Sequence, residues 1–200
     1  MTGMSQSRPY HHGDLRAALL ASAERTLRER GSAALSLREL ARDIGVSHAA
    51  PGRHFKDKQA LLDALARTGF ERLNEALDAA DLPDTALEPR LTALARAYVT
   101  FAVTNPELLE LMYSRKHDPD IDAELATAAE HAMGCFVQLV ADAQRRGEIV
   151  EGDPEAVTLA AAAGIHGLAA LATNGSLRPE AVLAGLEHHI HLMLYGLKPR

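Results

Sequence analysis

The chain of 200 residues has no tryptophan, one cysteine and only 4% aromatic residues. The single cysteine, Cys135, excludes an internal disulfide and fits a reducing compartment. No stretch alternates apolar and polar residues over strand length, which argues against a sheet protein. No apolar run approaches the ~20 residues that a bilayer-spanning helix needs. The polar stretch from Met1 to Tyr10 lacks the apolar segment of a secretory signal. Together these absences predict a soluble, cytoplasmic chain without a membrane role. A Ser/His/Asp series, a phosphate-binding glycine loop and a nucleotide fingerprint are also missing, so nothing points to an enzyme or a cofactor.

What is present is ordinary globular composition, 47% apolar and 24% charged, enough for one or two compact domains. The net charge of −6 hides a split: residues 1–72 carry +4 and residues 73–200 carry −10. A basic front on an acidic body suggests that only the front meets a polyanion, although an excess of this size also arises by chance.

Alanine and leucine dominate, with apolar residues three and four apart between glycine and proline breaks. The expected fold is all-α, with about nine helices. The first helix runs from about Asp14, a plausible cap, to Arg30, with Leu15, Leu19, Ala23 and Leu27 on one stripe and Gly31 as terminator. The second begins after Ser36, where Ser36 and Glu39 have capping-box spacing, and buries Leu37, Leu40, Ala41 and Ile44. A glycine turn at Gly45 then leads to a short third helix from about His48 to Phe55, capped by Ser47. Asp57 caps a long fourth helix that ends near Ala80.

Two short helices joined by a brief glycine-containing turn form a helix-turn-helix. Ala41 is small enough for close approach, Gly45 tolerates positive φ, and Leu40, Ile44, Val46 and Phe55 supply the apolar wedge. A helix of this kind fits the DNA major groove, where its side chains reach base edges.

The run from Leu15 to Leu62 resembles the DNA-binding domain of TetR-type (tetracycline-repressor-like) transcriptional regulators. The resemblance is carried by SLRELARDIGVSHAAPGRHFKDKQALL, residues 36–62, and most specifically by its tail, RHFKDKQALL. It implies a helix-turn-helix domain over residues 8–56, a connecting helix over 57–80, and an effector-binding and dimerisation domain over 81–200. Ser36 and Arg38 would contact phosphates. Ser47 would cap the third helix, and His48, Ala49, Gly52, Arg53 and His54 would face the groove. Lys58 would hold the backbone, with Tyr10, His11 and His12 near the phosphates. Each has a blander reading: Ser36 as a cap only, Arg38 as a solvated charge, His54 as a histidine packed beside Phe55. The family usually carries an aromatic residue where this chain has Gly52. Pro51-Gly52 is also a poor helix interior, which predicts a loosely formed recognition helix.

The remainder reads as about five helices. Those near 154–173 and 179–197 are rich in small and apolar residues, as buried or closely paired helices are. The resemblance implies a homodimer through these last two helices, so that two recognition helices meet a palindromic double-stranded operator. Tyr98, Phe101, Met112, Tyr113, Met133, Phe136 and His166 are candidates to line an apolar cavity, although each alone reads more readily as plain core. The resemblance makes that cavity the site of a small-molecule effector. Among the ten histidines, His188 and His191 beside Glu187 have spacing for a metal, but no further ligand is placed and no metal is assigned. Cys135 lies on an apolar stripe and reads as core. The expected function is a DNA-binding regulator, usually a repressor, released by an effector. The alternative is a helical small-molecule binder whose sequence-specific DNA binding has weakened.

Overall fold

The computed structural model describes residues 12–196, with side chains from Leu15. The order is α1 (His12–Arg30), a 3-10 turn (Ser32–Ala34), α2 (Leu37–Asp43), a 3-10 turn (Pro51–Arg53), α3 (Lys58–Ala80), α4 (Leu87–Thr104), α5 (Pro106–Arg115), α6 (Ala123–Arg145), α7 (Pro154–Thr173) and α8 (Pro179–Tyr195). The fold is all-α, and no strand occurs among the described residues. The chain divides into two compact units, meeting in sequence at Leu65 and Ala66.

In the first unit, Leu15, Leu19, Ala23 and Leu27 form the expected buried stripe of α1. Leu40 and Ala41 of α2 are buried with Leu35, Phe55 and Leu61. Ile44 and Val46, expected as full members of the wedge, are half-buried. Helix α2 closes in a Schellman arrangement: the Gly45 amide donates to Arg42 O at 3.2 Å and the Val46 amide to Ala41 O at 2.9 Å. Gly45 sits at φ 73°, which a side chain would strain. The capping box does not form. Ser36 makes no side-chain cap hydrogen bond, and the Glu39 carboxylate turns instead to Arg30 and Arg42, each at 4.0 Å. The Asp57 cap does form, with Oδ1 accepting from the Ala60 amide at 2.8 Å.

The expected third α-helix is replaced by turns. Ala50 donates to Ser47 O, Arg53 to Ala50 O and His54 to Pro51 O, all three residues back. Pro51 has no N–H to extend an α-helical ladder. Its ring is instead fully buried, so the residue that prevents the helix is also part of the core.

In the second unit, α4 packs on α7 and α8, α6 packs on α7, and α7 packs on α8. Asp122 caps α6 through the Glu124 and Leu125 amides, and Asp153 caps α7 through the Glu155 amide. Proline opens α5, α7 and α8 at the first turn, where its missing donor costs nothing. Between α3 and α4, Arg90 grips Asp81 with two parallel bonds of 2.6 and 2.8 Å, which hold the Asp81 carboxyl below its ordinary pKa.

Helix α7 corrects one expectation. By length and composition it is apolar enough to cross a bilayer, and 17% of it is buried within the chain. The apolarity is easily missed because it comes largely from alanine and glycine. Leu159 is 66% exposed, and Ala160, Ala163 and Ala170 are exposed on the same helix. In α8, Val182, Leu186 and Ile190 are buried as expected; Leu197 lies outside the described residues.

Candidate nucleic-acid interface and ligand cavity

The residues that follow the α2 turn separate into an outward and an inward set. Ser47, His48, Ala49, Gly52 and Arg53 are exposed, while Pro51 and Phe55 are buried. This pattern comes from the turn geometry: Pro51 and Phe55 point into the core four residues apart, and Gly52 and Arg53 between them face out. Arg38 on α2 and Lys56 are exposed too. Arg38, Arg53 and Lys56 make no ion pair with any described residue, which leaves three guanidinium or ammonium groups for an anionic partner. The helix macrodipole adds little here, because the segment has no sustained α-helix.

Two expected contacts are placed differently. His54 is half-buried, and its Nε2 is enclosed without a hydrogen-bond partner, so that edge of the ring faces the protein. Lys58 is half-buried, and its Nζ donates to Ala33 O at 3.1 Å, tying the start of α3 to the turn after α1. Its ammonium is thus already committed within the unit. The Arg16 guanidinium, which sequence reading did not single out, lies 5.5 Å from the centre of the Phe55 ring. Tyr10 and His11 lie outside the described residues, as does the His12 side chain.

The second unit encloses a cavity of about 110 Å³. Of the expected lining residues, Tyr98, Tyr113, Met133 and Phe136 face it. Met112 does not: it is fully buried against Gly69, where a Cβ would lie 2.8 Å from Met112 Cγ. Phe101 lines a separate surface groove with Ala97 and Thr100. His166 is not in the lining, and it is exposed on α7. Its Nδ1 is 2.6 Å from the Tyr98 hydroxyl, which is 3.2 Å from the Tyr113 hydroxyl, and its ring is 4.9 Å from that of Tyr113. Burial pushes the Tyr98 hydroxyl far above its ordinary pKa, so it stays protonated. Burial, then the charge of Lys116, pushes His166 down.

Sequence reading missed the contributions of Phe70, Leu73 and Leu77 from α3, Lys116 after α5 and Thr158 from α7. The α3 residues were legible as an apolar stripe, but a stripe does not say whether it meets a core or a void. Lys116 is the one Lys, Arg, Asp or Glu in the lining. Cys135 is half-buried with its thiol pushed up by burial, which suits an inert side chain. His191 pairs with Glu88 at 3.1 Å and stacks on Tyr195, and no group of three metal-ligating side chains occurs among the described residues.

Comparisons agree with this architecture. Residues 19–65 match the family model for bacterial regulatory proteins of the tetR family, and residues 91–193 match that for the tetracyclin repressor-like C-terminal domain. A solved structure of a protein of unknown function from Rhodococcus sp. RHA1 is 46% identical, with a TM-score of 0.81, covering 92% of this chain and 98% of that one. An HTH-type transcriptional regulator of Mycobacterium tuberculosis is 30% identical over 142 residues, which is 68% of this chain and 59% of that protein's length. An HTH-type transcriptional repressor of the same species is 32% identical over 136 residues, 62% of this chain and 71% of that protein. Two family models in the expected order, one on each compact unit, leave one conclusion: the chain belongs to the tetR family of bacterial regulatory proteins.

Proposed function

We propose that the protein is a homodimeric repressor that binds a palindromic operator and releases it when a small molecule enters the cavity of the second unit. The observation that carries this reading is the outward set after the α2 turn: His48, Ala49, Gly52 and Arg53 are exposed on a framework fixed by buried Pro51 and Phe55. Arg38, Arg53 and Lys56 supply uncommitted positive charge around it. Ser36, free of a capping bond, adds a hydroxyl for a phosphate oxygen. Lys58 acts by holding the start of α3, and reaches a phosphate only by leaving Ala33. The similarity to a mycobacterial repressor supports the sign of regulation.

The dimer forms through α7 and α8. Their exposed small residues, with Leu159, suit close helix pairing, and burial of that face is favourable at roughly 25 cal/mol per Å². Effector release travels along α3, which supplies Leu61 and Leu65 to the buried residues of the first unit and Phe70, Leu73 and Leu77 to the cavity. An effector shifts the equilibrium only by its difference in affinity for the two states.

The test is retardation of the DNA upstream of the protein's own gene, between 50 and 200 mM salt. Specific retardation that weakens steeply with salt is expected, and Arg38→Ala or Arg53→Ala should each lower the salt slope by about one. Absence of specific retardation by the ligand-free protein overturns the reading. In that case a small-molecule binder with weakened DNA recognition is favoured, and the observation on its side is the lack of an α-helix at 48–55.

A further inference from the structure

The cavity carries polar features that its apolar lining does not explain. Most of its wall is aliphatic or aromatic, yet Lys116 faces it. The ammonium lies 4.3 Å from the centre of the Tyr113 ring, and no carboxylate among the described residues pairs with it. Burial pushes its pKa down, the mark of a cation whose surroundings do not compensate it. Thr158, 2% exposed, lines the same cavity, and its Oγ1 is enclosed without a hydrogen-bond partner. Buried hydroxyls without partners are uncommon, because each forfeits the hydrogen bonds it made in water.

We propose that the cavity takes a compact apolar monoanion, an aromatic or branched aliphatic carboxylate, with its carboxylate at Lys116 Nζ. The apolar body lies among Phe70, Met133 and Phe136, and Thr158 Oγ1 meets a polar substituent on that body. Volume sets an upper bound: an apolar cavity of ~150 Å³ admits benzene, so about 110 Å³ limits the apolar body to no more than a single ring or a short branched chain. Charge follows from Lys116, the single formal charge in the lining. The hydroxyl relay from His166 through Tyr98 to Tyr113 can run in either sense. An anion beside Lys116 selects the sense in which His166 Nδ1–H donates to Tyr98, Tyr98 to Tyr113, and Tyr113 to the ligand. This inference rests on the cavity being the effector site and adds the class of molecule.

Calorimetric titration of the full chain with benzoate, benzyl alcohol and benzylamine tests it, since the three share a ring and differ in charge. Benzoate is expected to bind at least tenfold tighter than benzyl alcohol, with benzylamine weakest. Lys116→Met should reduce the benzoate advantage to less than threefold without weakening benzyl alcohol binding or lowering the melting temperature, since the lost cation is uncompensated in the ligand-free fold. Equal affinity for benzoate and benzyl alcohol, or an advantage that survives in Lys116→Met, overturns the carboxylate assignment and leaves the cavity as an effector site. If none of the three binds, the effector reading of the cavity falls, and this inference with it. For Thr158, at least one hydroxybenzoate isomer should bind more tightly than benzoate, and Thr158→Val should abolish that gain. A gain unchanged in the variant, or no gain from any isomer, removes Thr158 from the site.

Discussion

The Tyr98 hydroxyl lies 2.6 Å from His166 Nδ1, joining α4 to α7 across 68 positions of sequence. The His166 ring also faces Tyr113 and feels Lys116, and burial and that charge both disfavour its protonation. The folded state therefore binds fewer protons at His166 than the unfolded chain near the ordinary value of 6.5. Its contribution to stability is complete above that pH and is lost as the pH falls below it. Denaturant melts from pH 8 to pH 5 should show falling stability, with a shallower fall in His166→Gln. Tyr98→Phe should cost about 1 kcal/mol at pH 8. An unchanged pH profile in His166→Gln would remove this residue from the titration.

Gly52 is exposed, and a Cβ there would meet nothing within 4 Å. Gly52→Tyr should therefore fold with stability within about 0.5 kcal/mol of the parent, as exposed substitutions usually do. It restores the aromatic side chain that TetR-type domains commonly hold at this position, and operator retardation should strengthen. Unchanged or weaker retardation would show that the missing aromatic does not limit DNA affinity.

The exposed face of α7 predicts the oligomeric state. Ala163→Glu places a carboxylate among small residues that no described residue covers. Light scattering should give a dimer for the parent and a monomer for the variant, with helical content preserved. A variant that stays dimeric would move the interface elsewhere.

Gly69 packs directly on α5. A Cβ there would lie 2.8 Å from Met112 Cγ and 3.2 Å from Leu108 Cγ. Met112 is fully buried and has little room to yield. Gly69→Ala should destabilise by about 1–3 kcal/mol despite alanine's better helix propensity. Adding Met112→Ala should make the pair less destabilised than the sum of the two single changes. Additive losses would show that the two sites do not touch.

Helix periodicity and punctuation were sufficient for most of the architecture. The leucine stripe of α1, the glycine closure of α2, the Asp57 cap and the extent of α7 are local patterns, and local patterns survive in sequence because backbone hydrogen bonding and capping act over three or four residues. Segment 48–55 was partly legible. Pro51 and Gly52 signalled a poor helix, but the burial of the proline ring depends on the turn packing against α2, which a reading of local helix pattern does not supply. Ser36 and Glu39 had capping-box spacing and did not form it; the Glu39 carboxylate lies 4.0 Å from both Arg30 at the end of α1 and Arg42 of α2.

The chain's own order of residues determined α1, α2 with the glycine turn after it, the basic front and the all-α body, since each depends on neighbours along the backbone. Only the tertiary structure decided which apolar residues line a void and which fill it: Tyr113 and Phe136 face space, whereas Met112 is spent against Gly69. The same applies to Lys116, an ordinary lysine by sequence and the lone cation of the cavity wall by position. A void and an uncompensated charge are properties of what surrounds a residue on all sides, and that is set by helices brought together from opposite ends of the domain.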